Sequence, residues 1–267
     1  MNGLDTNSEP SIRIGVFLFC LALLMLMEVI SPRRKLHYAK SKRWTTNFAI
    51  SLTNALVVGV LLPIAGVSAA LLAQNNDWGL FNLITVSAWI SIPLYLLLFD
   101  LTIYFQHRIF HAVTPLWKLH RMHHTDPDYD VSTGIRFHPL SIVISSLVKL
   151  ALIFILGPLA IAVLMADVLL NATSMFNHSN WKLPERVDRV LRLFVVTPDV
   201  HRVHHSTNHS EHNHNFGFNF PWWDRIFGTY QAQPSMGHAQ MEIGIESFQD
   251  SQSTKFLPLL KQPFKKD

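Results

Sequence analysis

Histidines recur at helical spacing in three short segments of this 267-residue chain. The sequences "HRMHH" (His120–His124) and "HRVHH" (His201–His205) each place imidazoles at positions i, i+3 and i+4, and "HRIFH" (His107–His111) places two imidazoles four residues apart. Residues three and four apart lie on the same side of an α-helix. Neutral imidazole is the commonest metal-binding side chain, so the three segments predict helices that present metal ligands.

The histidines are too numerous for a single metal ion. Eight lie in the three clusters, and a ninth candidate, His178, follows in "NHSN". One ion would be over-supplied with ligands, whereas two ions with four or five ligands each would account for the set. His209, His212 and His214 come later, in "TNHSEHNHN", and we expect them to serve at the surface or at a substrate gate.

The elements that must position these histidines are strongly apolar. The chain is 49% hydrophobic and 15% charged, and its mean hydropathy is +0.22. Crossing a bilayer takes roughly 20 apolar residues in a helix. Long uncharged or nearly uncharged runs predict spans near 14–30, 48–73 and 80–105, followed by a hairpin of two short apolar helices at 140–156 and 158–176. The predicted fold is an all-α integral membrane protein with about three spans and a membrane-embedded helical hairpin.

The loops predict the orientation. The loop Ser31–Arg43 holds six Lys or Arg residues, and Gln74–Gly79 holds none. Basic loops stay in the cytoplasm. The third span then returns to the cytoplasm near His107, so we expect a histidine-rich helical cap on the cytoplasmic face of a bacterial inner membrane or the endoplasmic reticulum. The net charge of +4 fits basic loops against an anionic leaflet and gives no reason to invoke nucleic acid.

Three regions follow from this organisation. Residues 1–105 are predicted to be transmembrane anchor helices. Residues 106–230, which include the hairpin at 140–176, are predicted to be the di-metal catalytic region. Residues 231–267 are predicted to form a polar C-terminal tail. Pro63 and Pro93 lie in predicted spans, and each is expected to kink its span without breaking it.

The ligand set and its setting limit the chemistry. The single cysteine, Cys20, lies in a predicted span, which excludes a disulfide framework and a cysteine-based zinc or iron–sulfur site. Nitrogen ligation alone does not separate iron from zinc or copper. A metal site at the membrane surface of an apolar protein suits a lipid chain, however, and oxidation of an unreactive C–H bond requires O₂ with iron or copper.

Two other classes of function remain open. One is a non-enzymatic haem-binding or metal-binding membrane protein, although haem needs only one or two axial histidines. The other is a membrane zinc hydrolase, which would work without O₂ or a reductant. Among the acidic residues, Asp100 precedes the first cluster by seven residues and is a candidate to orient a ligand imidazole. Asp126, Asp128 and Asp130 in "TDPDYD" are expected to form a solvated loop.

Four motifs resemble a known family. "DLTIYFQHRIFH", "LWKLHRMHH", "NHSN" and "DVHRVHHS", the last continuing into "NFGFNFPWWDRIFGTY", are similar to the fatty acid hydroxylase superfamily, also called the sterol desaturase family. The likeness covers about Asp100 to Tyr230. It implies a membrane enzyme with two iron ions that uses O₂ and electrons to hydroxylate or desaturate a sterol or fatty-acyl-type lipid. Carried over by motif, the implied ligands are His107, His111, His120, His123, His124, His178, His201, His204 and His205.

The resemblance also bears on the electron donor, the ligand set and a supporting residue. The chain carries no fused cytochrome domain, so electrons are expected from a separate protein, a b-type cytochrome or a ferredoxin with its reductase. Some fatty acid 2-hydroxylases of the family have a histidine four residues before His178. This chain has Ser174 there, so one ligand of that subgroup's pattern is missing. "RFHPL" (Arg136–Leu140) is similar to another family element, and His138 within it is expected to support the ligands rather than bind metal.

Overall fold

The computed structural model describes residues 8–84 and 86–265, so the first seven residues of the predicted anchor lie outside the described residues. The described residues form helices without a β-strand, and two isolated bridges, Pro32 with Trp181 and Ser206 with Ile243, are their only β-type pairings. The all-α prediction is confirmed. The α-helices are α1 (Glu9–Ile30), α2 (Lys40–Leu61), α3 (Val67–Asn75), α4 (Leu80–Leu83), α5 (Ala88–Ala112), α6 (Thr114–His124), α7 (Pro139–Leu156), α8 (Ala160–Asn177), α9 (Glu185–Leu191), α10 (Pro198–His204), α11 (His209–His212), α12 (Trp222–Ile226), α13 (Gly237–Gln240) and α14 (Phe256–Lys261).

Five of these helices, α1, α2, α5, α7 and α8, are long and apolar enough to cross a membrane. Their outward faces carry exposed apolar side chains, among them Phe19 at 67% and Val60 at 78% exposure, as expected for surfaces that face lipid. The two hairpin helices α7 and α8 have 18 residues each, which gives each a length of about 27 Å. The protein is therefore a multi-pass membrane protein.

Two predicted spans have different bounds in the structure. The span expected at 48–73 ends as α2 at Leu61, and a separate short helix, α3, follows. Pro63 was expected to be tolerated as a kink, but it ends the helix, because proline disfavours helical geometry in the residue before it and Leu62 has φ −131° and ψ 64°. The span expected at 80–105 is α5, shifted to Ala88–Ala112, and Pro93 is accommodated within it.

At one end of the bundle the backbones of Gly79 and Gly157 are in close contact. Gly157 ends α7 in the left-handed region at φ 62°, which turns the chain into α8. A β-carbon on Gly79 would lie 2.2 Å from the nitrogen of Gly157. The two backbones approach so closely that only glycine fits at Gly79, which fixes the loop before α4 against the tip of the hairpin.

The other end of the bundle carries the histidine-rich cap. Glu28, near the end of α1, is buried and accepts hydrogen bonds from the backbone N–H groups of Val131 and Asn180. The cap consists of α6, a 3₁₀ helix at Val131–Ile135 and α9 to α13. The C-terminal residues pack on it, since the Arg121 guanidinium donates to the carbonyls of Gln262 and Lys265.

Candidate metal centre and lipid cavity

The nine histidines singled out by the sequence lie together in two adjoining groups. In each group one ring nitrogen of every member lies within 4.8 Å of those of the others. All nine side chains are buried except that of His111, which is half-buried. The five-histidine group consists of His107, His111, His120, His124 and His204, and the four-histidine group consists of His123, His178, His201 and His205.

Each repeated pentapeptide contributes to both groups. In α6, His120 and His124 are four residues apart and join the five-histidine group, while His123 joins the other. In α10 and the residue after it the pattern is reversed, because the pair four residues apart belongs to the four-histidine group and the intervening His204 belongs to the five-histidine group. The i+3 position lies on a neighbouring stripe of the helix, so one short motif can serve two adjacent sites.

The spacing of the Nε2 atoms around His178 matches a shared ion. The His178 Nε2 lies 3.0 Å from that of His123, 3.1 Å from that of His201 and 3.2 Å from that of His205. One nitrogen with at most one hydrogen cannot satisfy three such neighbours. Nitrogens bound to one ion at about 2.0–2.1 Å lie about 2.9–3.4 Å apart in octahedral or tetrahedral geometry. The three distances therefore fit nitrogens that could bind one ion.

Backbone carbonyls hold four of the rings in one tautomer. The Nδ1 atoms of His107, His123, His178 and His204 lie 2.7–3.2 Å from carbonyl oxygens. A carbonyl can only accept, so each Nδ1 carries the hydrogen and each Nε2 is left with a free lone pair. An N–H bond of this kind orients metal-binding histidines. The Nε2 atoms of His107 and His204 are buried and have no hydrogen-bond partner among the described residues. The accepting carbonyls belong to Phe216, Arg136, Ser174 and His214.

The electrostatics keep the imidazoles in the ligand form. Burial, and then the neighbouring imidazoles, lower the pKa values of His123, His124 and His205 well below the ordinary value near 6.5. The same causes act on His204. These rings are neutral at physiological pH, and neutral imidazole is the form that binds metal. The residues present thus fit two metal ions by number, spacing, tautomer and charge.

The two predicted supporting residues contact other groups. The Asp100 carboxylate accepts hydrogen bonds from the backbone of Asn219 at 3.0 Å, the backbone of Phe220 at 3.2 Å and the indole of Trp223 at 2.8 Å. It therefore fixes the segment that follows Phe216, whose carbonyl orients His107. His138 begins α7, where its Nδ1 accepts from the backbone N–H of Leu140 and its Nε2 lies 3.2 Å from the carbonyl of Leu260.

The expectation of a solvated loop after His124 was wrong. Asp126, Asp128 and Asp130 are at most 4% exposed. The guanidinium of Arg43 on α2 donates to Asp126 at 2.7 and 2.9 Å and to Asp130 at 2.7 Å. Burial alone would raise the pKa of Asp126, but the charges of Arg43 and Arg136 outweigh it and lower that pKa to about 2. Three negative charges within five residues resemble a surface loop in sequence, and the partner arginine lies more than 80 residues away.

A cavity of about 460 Å³ lies beneath the histidines, between the membrane helices. Its size is within the range of small-molecule pockets. Phe137 forms part of its wall and stacks on the ring of His123, with centroids 4.4 Å apart. Both histidine groups therefore border the same cavity within the bundle. The histidines that line it are His107, His120, His123 and His201, and the apolar lining includes Phe17, Ile103, Phe110, Ile135, Ile142, Leu170 and Phe218.

Several proteins of known activity are similar to this chain. Alkylglycerol monooxygenase from Homo sapiens is 32% identical over 160 residues, which cover 59% of this chain and 34% of that protein. Ornithine lipid hydroxylase OlsE from Rhizobium tropici is 26% identical over 265 residues, which cover 93% of this chain and 74% of that protein. Lathosterol oxidase from Homo sapiens is 28% identical over 158 residues, 59% of this chain and 49% of that protein.

The chain thus spans about a third of the human alkylglycerol monooxygenase and about three quarters of OlsE. No solved structure matches it. The family model described as fatty acid hydroxylase matches residues 92–229, more than half of the chain. That range contains all nine histidines of the two groups and the Asp100–Trp223 contact, which helps to fix the segment after Phe216. On this match, the chain belongs to the fatty acid hydroxylase family.

Proposed function

We propose that the protein is a membrane-bound di-iron oxygenase that hydroxylates or desaturates a lipid, with O₂ as co-substrate and electrons from a separate protein. The observation that carries the proposal is that two buried histidine groups border one cavity between the membrane helices. The relatives named alkylglycerol monooxygenase, ornithine lipid hydroxylase and lathosterol oxidase support an oxidative reaction on a lipid. Iron held by the imidazoles would supply the O₂-dependent oxidation of a C–H bond.

In this proposal the chain's own residues bind the metal ions, orient the imidazole rings and line the lipid cavity. The nine histidines would hold the ions, and the four carbonyl contacts keep the Nε2 atoms of His107, His123, His178 and His204 available as ligands. Phe110, Phe137 and Phe218 line the cavity, and a lipid chain packed against them would keep water from the reacting carbon. At the outer edge of the five-histidine group, the Trp117 ring lies 4.9 Å from that of His111 and 5.1 Å from that of His212. We infer that the shape of the cavity selects the carbon that reacts.

We propose that the centre lies at the cytoplasmic face of a bacterial inner membrane or of the endoplasmic reticulum. The basic loop between α1 and α2 is at the histidine end of the bundle, because the backbone N–H of Arg33 donates to the carbonyl of Asn180, two residues after His178. Basic loops stay in the cytoplasm. In this proposal residues 1–105 anchor the protein, 106–230 carry the catalytic region with its hairpin at 140–176, and 231–267 form the tail.

Metal content and oxygen dependence test the proposal. The protein would be purified in mild detergent together with His123→Ala and His204→Ala, one from each group, and with His209→Ala, an exposed histidine outside both groups, as the control. We expect about two irons per chain in the parent and control proteins and a loss in both group variants. Lipid extracts treated with reductant and isotopically labelled O₂ should yield a product that carries the label or lacks two hydrogens.

Two outcomes would refute the oxygenase. Tightly bound haem with little other iron would indicate a carrier, and then most single histidine changes outside one axial pair would have no effect. Zinc alone, with lipid cleavage that proceeds without O₂ and reductant, would indicate a hydrolase.

A further inference from the structure

One wall of the cavity is polar although it lies within the membrane helices. Ser141, Ser145 and Lys149 follow each other at intervals of four residues on α7, and all three line the cavity. Polar side chains within membrane-spanning helices are costly unless they are paired, and they often mark the path of a polar ligand. A cavity made only for a hydrocarbon tail would not need such a wall.

Asn54 on α2 lines the cavity and has an unused side-chain acceptor. Asn54 is 7% exposed, and its Nδ2 donates to the carbonyl of Phe137 at 2.9 Å. Because that carbonyl can only accept, the bond fixes which end of the amide is nitrogen. The Oδ1 atom is buried and has no hydrogen-bond partner among residues 8–84 and 86–265. Asn54 lines the cavity next to Phe137, whose ring stacks on His123.

Gln106 on α5 supplies a second unused polar atom. Its Nε2 lies 2.7 Å from the Oγ of Ser145, and its Oε1 is buried without a partner in the described part of the chain. It lines the cavity and directly precedes His107 on α5. Asn54 and Gln106 therefore both line the part of the cavity near the histidines.

The far end of the cavity is polar but electrically balanced. Arg13 and Lys149 line it. Asp167 accepts from Arg13 at 3.0 Å and from Lys149 at 3.2 Å, and Glu9 accepts from Arg13 at 2.7 Å. Two cations thus face two carboxylates, so this end offers spare N–H donors to a neutral oxygen and no net charge to an anion. A free carboxylate or phosphate is not the group that this end is built to hold.

We propose that the lipid bound in this cavity is an uncharged amphiphile with a hydroxyl or amide N–H group close to the carbon that is oxidised, and that Asn54 and Gln106 accept that group. The proposal rests on the proposed function for the oxidation step alone, because the binding itself needs neither O₂ nor electrons. A site that leaves a buried acceptor unpaired rejects an analogue without the matching donor. Asn54 and Gln106 are then specificity residues.

A matched pair of ligands tests the proposal. The probes are a hexadecyl ether of glycerol, which has two free hydroxyls, and the same ether with both hydroxyls methylated. Equilibrium dialysis in detergent micelles measures Kd on the metal-loaded protein without reductant. We expect the parent protein to prefer the diol by about tenfold or more, which corresponds to about 1.4 kcal/mol. In Asn54→Leu and in Gln106→Met that preference should shrink at least severalfold.

The control is Asn76→Leu, since Asn76 is exposed beyond the end of α3 and its Nδ2 donates to the carbonyl of Leu72. It should keep the full preference. Equal Kd values for the two probes in the parent protein would overturn the proposal, and so would a preference that both cavity variants retain. Gln106→Met decides the question if Asn54→Leu fails to fold. A protein that shows the preference but performs no oxidation would refute the proposed function and leave this inference standing.

Discussion

Replacing Arg43 by methionine should destabilise the protein and weaken its hold on metal, although the residue touches no histidine of either group. The Arg43 guanidinium is fully buried and donates two hydrogen bonds to Asp126 and one to Asp130. Asp126 lies two residues after His124, at the end of α6. The variant would leave two buried carboxylates, and the only other guanidinium in ion-pair range among the described residues, that of Arg136, is 3.9 Å from Asp126.

The expected loss is large because both partners stay buried. Breaking a buried ion pair by removing one partner costs about 3–5 kcal/mol, since the remaining charge is uncompensated. The side chain of Arg136 also bonds to the carbonyl of Met122, while its own carbonyl orients His123. A shift of Arg136 should therefore displace the ring of His123. Loss of a partner that orients metal ligands typically lowers metal affinity by about 10–100-fold.

The assay is an unfolding titration with sodium dodecyl sulfate in mild detergent, combined with iron analysis before and after dialysis against a chelator. Lys42→Met is the control, because Lys42 is the exposed neighbour of Arg43 on α2. Adding Asp126→Asn to the Arg43→Met variant removes one uncompensated charge and should restore part of the stability. If Arg43→Met unfolds at the same detergent fraction as Lys42→Met and retains its iron, the buried ion network does not support the metal centre and this reasoning is refuted.

Three further outcomes are expected. In Gly134→Ala the new β-carbon would lie 2.5 Å from the Ser174 carbonyl oxygen, which orients the ring of His178. Because this clash should displace that ring, about half of the iron should be lost. The control Gly59→Ala has nothing within 4 Å of the new β-carbon and should keep both ions. Asp100→Asn should cost about 1–3 kcal/mol in the same unfolding titration, because an amide NH₂ would face donors that the carboxylate now satisfies; an unchanged midpoint would contradict this. The folded state lowers the pKa of Asp126 to about 2. Its ionised form should therefore contribute about 2–3 kcal/mol to the free energy of unfolding, in full above pH about 4 and progressively less as the pH falls towards 2. In Asp126→Asn the free energy of unfolding should depend less steeply on pH in this range.

The sequence by itself determined the membrane helices and the candidate ligands. Apolar runs of spanning length are a local property of the chain, and so is a histidine pattern at i, i+3 and i+4, because both follow from the rise and period of a helix. Five long apolar helices and two compact histidine groups agree with those local signals. Local signals were less reliable at element ends, where Pro63 stopped a helix that hydropathy alone had extended.

Only the tertiary structure decided how the histidines divide and what holds them. His120 and His123 are three residues apart but belong to different groups, which depends on where α5, α8 and α10 approach α6. The acceptors that fix the rings are backbone carbonyls, which every residue possesses and no side-chain pattern reveals. The partner of Asp126 is Arg43, 83 positions away. A charged stretch that is typical of a solvated loop is therefore buried and paired in the fold. Burial and pairing are properties of the packed fold, and for that reason they could not be predicted from the residues that precede and follow each position.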